Sequence, residues 1–148
     1  MTAAERLARR SAEAIMAGDA VARGLGVEIL EAGPGRAVAR LRTGEGMVNG
    51  IGTVHGAVVF ALADIAYAMA CNSHGVTAVS HSAEVIHVAP AHPGEVLVAS
   101  AGERSRCGRN GVYDVTVRRE DGSVVAEFRG QSRSLGGRLV PDEANGAG

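Results

Sequence analysis

The stretch Gly56-Ala-Val-Val-Phe-Ala-Leu-Ala-Asp-Ile-Ala-Tyr-Ala-Met-Ala-Cys71 decides how this chain is read: sixteen residues carrying one charge, Asp64, near their middle. Apolar side chains occupy nearly every helical phase, so the segment reads as a helix that needs cover on more than one side. It is short and alanine-rich for a membrane span, and a central ionisable residue argues further against lipid. A carboxylate in such surroundings must find partners, take a raised pKa or face a cavity where its charge is used. The alternative is a core Asp held by a backbone donor or an arginine.

Upstream of this segment, Gly44 to Val54 holds several glycines with Asn49 and Thr53 and no usable periodicity, so it reads as a loop, with the helix starting near His55. Before it, Val27 to Ile29 and Arg36 to Leu41 favour extended structure around the turn Gly33-Pro34-Gly35, which makes a hairpin. Leu7, Ala8, Ala12, Ile15 and Met16 fall near helical spacing in a first helix that Gly18 ends. Downstream, Val76 to Val88 is rich in β-branched residues and is closed by Pro90 and Pro93. Val96 to Ser105 forms a further strand. Tyr113, Val115 and Val117 alternate with polar neighbours in the next, and Val124, Ala126 and Phe128 mark the last, after the turn Asp121-Gly122. A helix, two strands, a long apolar helix and about four strands make an antiparallel α+β domain. The expected boundaries are one domain over 1–136, with its N-terminal helix over 1–18, and a flexible tail over 137–148.

At 148 residues the chain suits one domain with a real core. Its 15 basic and 16 acidic residues nearly cancel and only 3% of residues are aromatic, so neither a basic footprint nor a stacking platform points to nucleic acid. The N-terminal segment lacks the continuous apolar core of a secretory signal, which leads to an expected cytoplasmic location. Cys71 and Cys107 lack a framework spacing, and no disulfide is expected. His74, His81, His87 and His92 form no recognised ligand spacing, so no metal site is expected. No serine-nucleophile elbow, P-loop or dinucleotide fingerprint appears.

The segments Val48-Asn-Gly-Ile-Gly-Thr-Val-His-Gly56, Phe60-Ala-Leu-Ala-Asp64, Ala70-Cys-Asn-Ser73, Ser82-Ala-Glu-Val85 and Gly94-Glu-Val96 together resemble the hotdog-fold acyl-coenzyme A thioesterases of the phenylacetate degradation pathway. The resemblance runs from about Leu7 to Leu135, and its most specific part is the spaced set Asn49, His55, Gly56 and Asp64. It implies one curved antiparallel sheet wrapped around the long central helix. It also implies a catalytic base or nucleophile at Asp64, an oxyanion donor at the Gly56 N–H, and Asn49 and His55 lining the same site. An aryl-acetyl thioester as substrate rests on the resemblance alone. Two positions depart from the pattern: Ala57 stands where a second glycine often follows, and Ala68 where some relatives carry a hydroxyl.

Elementary chemistry supports several of these roles independently. Gly56 lies where the helix begins, so its N–H lacks an intrahelical acceptor and sits at the positive end of the dipole. Glycine also lets a ligand carbonyl approach the backbone. Asn49 suits holding a water or carbonyl, with ordinary turn chemistry beside Gly50 as the alternative. His55 either hydrogen-bonds the thioester or caps the helix. Gly56 and Asp64 are eight residues apart, about 12 Å along a helix axis, so a site using both needs two chains. The expected partner is therefore a second copy, in a dimer of composite sites or a tetramer. The turn Arg104 to Gly111 offers cations and backbone donors for coenzyme A phosphates, with Arg109 and Asn110 singled out. Coenzyme A belongs to the substrate, and no cofactor is expected. The rival readings are a non-catalytic acyl-coenzyme A-binding module and a hotdog dehydratase or hydratase.

Overall fold

The computed structural model describes residues 1–143. Helices α1 (Ala3–Gly18) and α2 (Ala20–Leu25) precede the hairpin β1 (Glu28–Gly33) and β2 (Arg36–Arg42), a loop with a 3-10 turn at Glu45–Met47, and helix α3 (Gly56–Cys71). Four strands follow: β3 (Val76–His87), β4 (Val96–Cys107), β5 (Asn110–Arg119) and β6 (Val124–Arg138). All six strands join one antiparallel sheet in the order β1-β2-β4-β5-β6-β3, and α3 touches every one of them. This is the α+β hotdog arrangement.

The sheet can close around α3 because small side chains meet at the contact. Ala63, Ala66 and Ala70 of the helix and Ala37, Ala39, Ala99 and Ala126 of the sheet are fully buried. Leu41, Leu62, Met69, Leu97, Val115 and Val117 fill the space between them, at the density that makes cores intolerant of volume change. The chain has two tyrosines, two phenylalanines and no tryptophan, and all four rings form one connected cluster. Phe60 meets Phe128 at 5.4 Å between centroids, and Tyr67 meets Phe128 at 5.5 Å and Tyr113 at 5.7 Å.

Two polar residues at the end of α3 tie it to the sheet. Asn72 is buried and uses its whole side chain: Nδ2 donates to the Ala68 and Ala78 carbonyls at 2.9 and 3.1 Å, and Oδ1 accepts from the Ala78 N–H at 2.8 Å. Ser73 Oγ accepts from the Gly35 N–H at 2.8 Å, fastening the β1–β2 turn to the same corner. The Asn-Ser pair of the motif is thus structural.

The structure differs from the sequence expectations in three places. Helix α2 was not anticipated: Asp19 caps it by accepting from the Ala22 N–H at 2.9 Å, and Gly26 ends it in the left-handed region at φ 77°. Arg104 and Arg106 lie on β4 rather than in a turn, because β4 continues to Cys107 and its connection to β5 is only Gly108 and Arg109. The boundary at 136 falls inside β6. Beyond it, the Leu139 N–H donates to the Gly75 carbonyl at 2.9 Å, Arg10 donates to the Pro141 carbonyl, and Arg6 pairs with Glu143 at 2.9 Å. The remainder of the expected tail, 144–148, lies outside the described residues. Cys71 and Cys107 are both free. Among the described residues no helix is long and apolar enough to cross a membrane.

Gly130 is the notch that admits the Tyr67 ring beneath the sheet, since a Cβ there would sit 2.6 Å from Tyr67 Cζ. Gly130→Ala is expected to cost about 1–3 kcal/mol by overpacking, read from urea unfolding. An unchanged midpoint would mean that the ring is free to move aside.

Candidate active site

Asp64 sits midway along α3, half-buried, on a cavity of about 570 Å³ bounded by the α1–α2 junction, α3 and the start of β3. Ile15, Val21, Tyr67, Ala68, Ala78 and Val79 line it, while Asp19, Cys71 and Ser80 bring polar atoms. Asp64 forms no hydrogen bond or ion pair with any described residue, so the arginine or backbone partner of a structural Asp is absent among them. Burial pushes its carboxyl above the ordinary carboxylate range, and the neighbouring negative charge of Asp19 adds to the shift. Burial and the Asp64 charge also push the Cys71 thiol to about 12, so Cys71 is a wall of the cavity and not a nucleophile.

The other end of the helix presents the donor. Gly56 is the first residue of α3, and its N–H has no acceptor among the described residues. His55 is the N-cap, with Nδ1 accepting from the Ala57 N–H at 3.0 Å. The cap half of the His55 alternative is therefore realised. In the neutral ring this fixes the proton on Nε2, and the exposed ring leaves that N–H available. His87, expected to be a surface or packing residue, lies at the end of β3 with its ring against Gly56, 3.2 Å from where a Cβ would be. The loop before α3 is held by His55 N–H to the Met47 carbonyl at 2.7 Å and Val54 N–H to the Ala91 carbonyl at 2.8 Å, which aims the helix start.

Asn49 is occupied by the loop itself. Its Oδ1 accepts from the Ile51 and Thr53 N–H groups at 3.0 and 3.2 Å, and its Nδ2 donates to Thr53 Oγ1 at 2.8 Å. One Nδ2 hydrogen is left for a ligand.

Arg109 and Asn110 line a separate cavity of about 310 Å³ with His74, Arg106, Ser132 and Ser134, and Cys71 and Ala78 border both this cavity and that of Asp64. Arg104 is paired with Asp114 at 3.4 Å and Arg106 with Glu103 at 3.6 Å, whereas Arg109 has no acidic partner among the described residues. Asp64 and Arg109 thus face neighbouring cavities, while His55 and Gly56 stand at the start of α3 and Asn49 lies in the loop before it. No group of three His, Cys, Asp or Glu side chains among the described residues could hold a metal.

Comparison with known proteins decides the family. A family model described as the thioesterase superfamily matches residues 51–126, and the acyl-coenzyme A thioesterase PaaI of Escherichia coli is 36% identical over 131 residues, covering 88% of this chain and 94% of that protein. The chain belongs to the thioesterase superfamily. In structure it is similar to the E. coli PaaI protein from the phenylacetic acid degradation operon, with a TM-score of 0.90, 35% identity and coverage of 92% of this chain and 99% of that one. It is also similar to the TT0310 protein of Thermus thermophilus, with a TM-score of 0.76, 35% identity and coverage of 79% and 98%. It is a thioester hydrolase of the hotdog type.

Sequence reasoning about this thioesterase left Tyr67 unassigned between pocket and core and did not single out Ser80. Tyr67, Ala68 and Cys71 follow Asp64 at helical spacing and were open to the same periodicity argument. Ser80 comes from a strand, and Asp19 caps a helix that the sequence did not reveal.

Because the folded-state pKa of Asp64 is raised above its unfolded value, folding favours its protonated form. Stability attached to Asp64 is greatest at low pH and is lost as pH rises from the unfolded value through the folded one. Asp64→Asn is therefore expected to be more stable than wild type at neutral pH, with the difference closing as the pH falls below about 4. Thermal midpoints across that range check it; a mutant less stable at neutral pH contradicts the desolvated carboxylate.

Proposed function

We propose that this thioester hydrolase cleaves a small aromatic acyl-coenzyme A, of the phenylacetyl or hydroxyphenylacetyl type, to free acid and coenzyme A in a site shared between two copies of the chain. The observation that carries this reading is the placement of a desolvated carboxylate and a free N–H on one rigid helix, eight residues apart. At about 1.5 Å per residue they stand about 12 Å apart along the axis. That is too far for both to serve one thioester within one chain, and a two-fold operation brings the Gly56 of one copy to the Asp64 of the other, making two equivalent sites. Strand β3 favours such an interface: among the described residues it pairs only with β6 and its other edge is open, and Val79, Ile86 and Val88 on or beside it are exposed. Long open edges and exposed apolar residues call for a partner. A dimer is the minimum unit, and its further pairing gives a tetramer.

In this site the thioester oxygen accepts from the Gly56 N–H at the positive end of α3, where charge developing on that oxygen is stabilised. Asp64 of the other copy either takes a proton from water as that water attacks the carbonyl carbon, or attacks the carbon itself to give a mixed anhydride that water then opens. In both routes the carbon–sulfur bond breaks, the electron pair leaves with the coenzyme A thiolate, and water supplies the oxygen of the acid. The raised pKa of Asp64 makes it a stronger base once ionised. The Ser80 hydroxyl, across the cavity, supplies the water contact that Ala68 lacks. His55 Nε2–H and the remaining Nδ2 hydrogen of Asn49 flank the donor end. Chemistry of this kind requires no metal or redox cofactor. The apolar walls around Asp64 suit an aryl group, and Arg109 with Asn110 suits the phosphates of coenzyme A in the cytoplasm.

Two rivals predict different products. A binding module holds acyl-coenzyme A without turnover, and a dehydratase or hydratase changes a double bond without freeing thiol. Thiol release from phenylacetyl-, hydroxyphenylacetyl-, benzoyl- and short aliphatic coenzyme A esters separates them. Wild type is expected to prefer an aryl-acetyl ester, and Asp64→Asn to lose about 100- to 10,000-fold in kcat while staying folded and oligomeric. Saturable binding with no thiol released from any ester would favour the binding module.

A further inference from the structure

Tyr67 is 1% exposed, and its hydroxyl is buried with no hydrogen-bond partner among the described residues. Buried tyrosine hydroxyls normally have one, so this group calls for an explanation. The ring has no freedom to seek another position: Cζ lies over Gly130, and Tyr113 and Phe128 hold it with tilted contacts. The hydroxyl is thereby delivered beneath the sheet next to β3, where Ala83 pairs with Gly130 and the ladder slips between Ser80 and Ser82. Irregularities of this kind bend a strand and re-aim its side chains.

Ser80 is the residue at that irregularity. Burial pushes the Tyr67 phenol up to about 12, and the Ser80 hydroxyl is close enough to act against that shift. Ser80 also lines the Asp64 cavity. Among the described residues the only hydrogen bond of its hydroxyl is a contact of 3.5 Å to the Ser82 carbonyl, at the limit of what counts as one. One hydroxyl is therefore sealed without a partner, while its neighbour faces the reacting centre held only by its own strand.

We propose that Tyr67 is a positioning residue for the hydrolysis: its O–H donates to Ser80 Oγ, which frees the Ser80 O–H from the Ser82 carbonyl and turns it into the cavity toward the attacking water at Asp64. This deepens the proposed thioesterase site and rests on that reading. A phenol is a better donor than an alcohol, so the chain runs from Tyr67 to Ser80, and hydrogen bonds in series strengthen one another. No proton is transferred along it and no bond is made or broken. With phenylalanine at 67, Ser80 falls back on the Ser82 carbonyl and the cavity loses a directed donor.

The test is a double-mutant cycle on the best thioester of the panel, with Tyr67→Phe, Ser80→Ala and the pair. Each single change is expected to lower kcat about tenfold with KM nearly constant, and the double to be no slower than Ser80→Ala. Ser80→Thr, which keeps a hydroxyl, should retain the dependence on Tyr67. Tyr67→Phe and Ser80→Ala give up the same hydrogen bond, so their thermal midpoints should lie close together and well above the assay temperature, which separates a positioning role from a structural one. A wild-type kcat in Tyr67→Phe, losses that multiply in the double mutant, or a loss of activity that follows a lowered midpoint would each overturn the proposal. If wild type turns over and Asp64→Asn does not, such a result removes the Tyr67 relay alone. If wild type releases no thiol from any ester, the thioesterase reading falls and the relay with it.

Discussion

A helix of sixteen residues that is apolar on nearly every face has to be covered on nearly every face, and one charged side chain on it has to be given somewhere to go. The six-stranded sheet provides the cover by curving round α3, with alanines on both sides of the contact keeping the approach close. It cannot wrap completely. The side left over is closed in part by the α1–α2 junction and the start of β3, and the gap between them is the cavity that Asp64 faces. Fold and cavity thus follow from one constraint, since the place where the cover is incomplete is the place that the carboxylate faces.

The polar groups around α3 divide into those that hold it and those left free. Asn72 and Ser73 pin its end, Asn49 organises the loop before it, and His55 caps its start; each spends its hydrogen-bonding capacity wholly or largely within the chain. The Gly56 N–H and the Asp64 carboxylate find no partner among the described residues of one chain. Groups left unsatisfied on an otherwise well-satisfied helix are costly unless a ligand or another subunit meets them, and here both stand where a thioester could be held.

Much of this was legible in the sequence. The apolar run carrying Asp64, the hairpin around Pro34, and the alternating strands ending in Phe128 state the architecture through their own periodicity. The Gly56 donor followed from its position at a helix start. Helix α2 was not legible because it is only six residues long: Gly18 was read as the end of the helical segment, and the cap at Asp19 was passed over. The extension of β4 through Arg106 was hidden by the density of charge in a segment that reads like a loop, although pairing with β5 makes it a strand. Tyr67 and Ser80 could be placed only by the sheet, because where each lies depends on the notch at Gly130 and the slipped register of β3. Local pattern reports the faces of elements; it does not report which faces meet.

The central claim is that the donor and the carboxylate of each site come from different chains, and mixing two crippled subunits tests it most directly. Asp64→Asn removes the carboxylate. Gly56→Pro removes the N–H at a first helical position, where proline is well tolerated, and the His87 ring its Cβ would approach at 3.2 Å is exposed. In a shared site each parent is inactive, but a mixed dimer holds one site built from the intact Asp64 of one chain and the intact Gly56 of the other. Recovery of thiol release on refolding the two variants together, with neither active alone, is the predicted result. Mixed dimers that form and remain inactive would contradict the shared site.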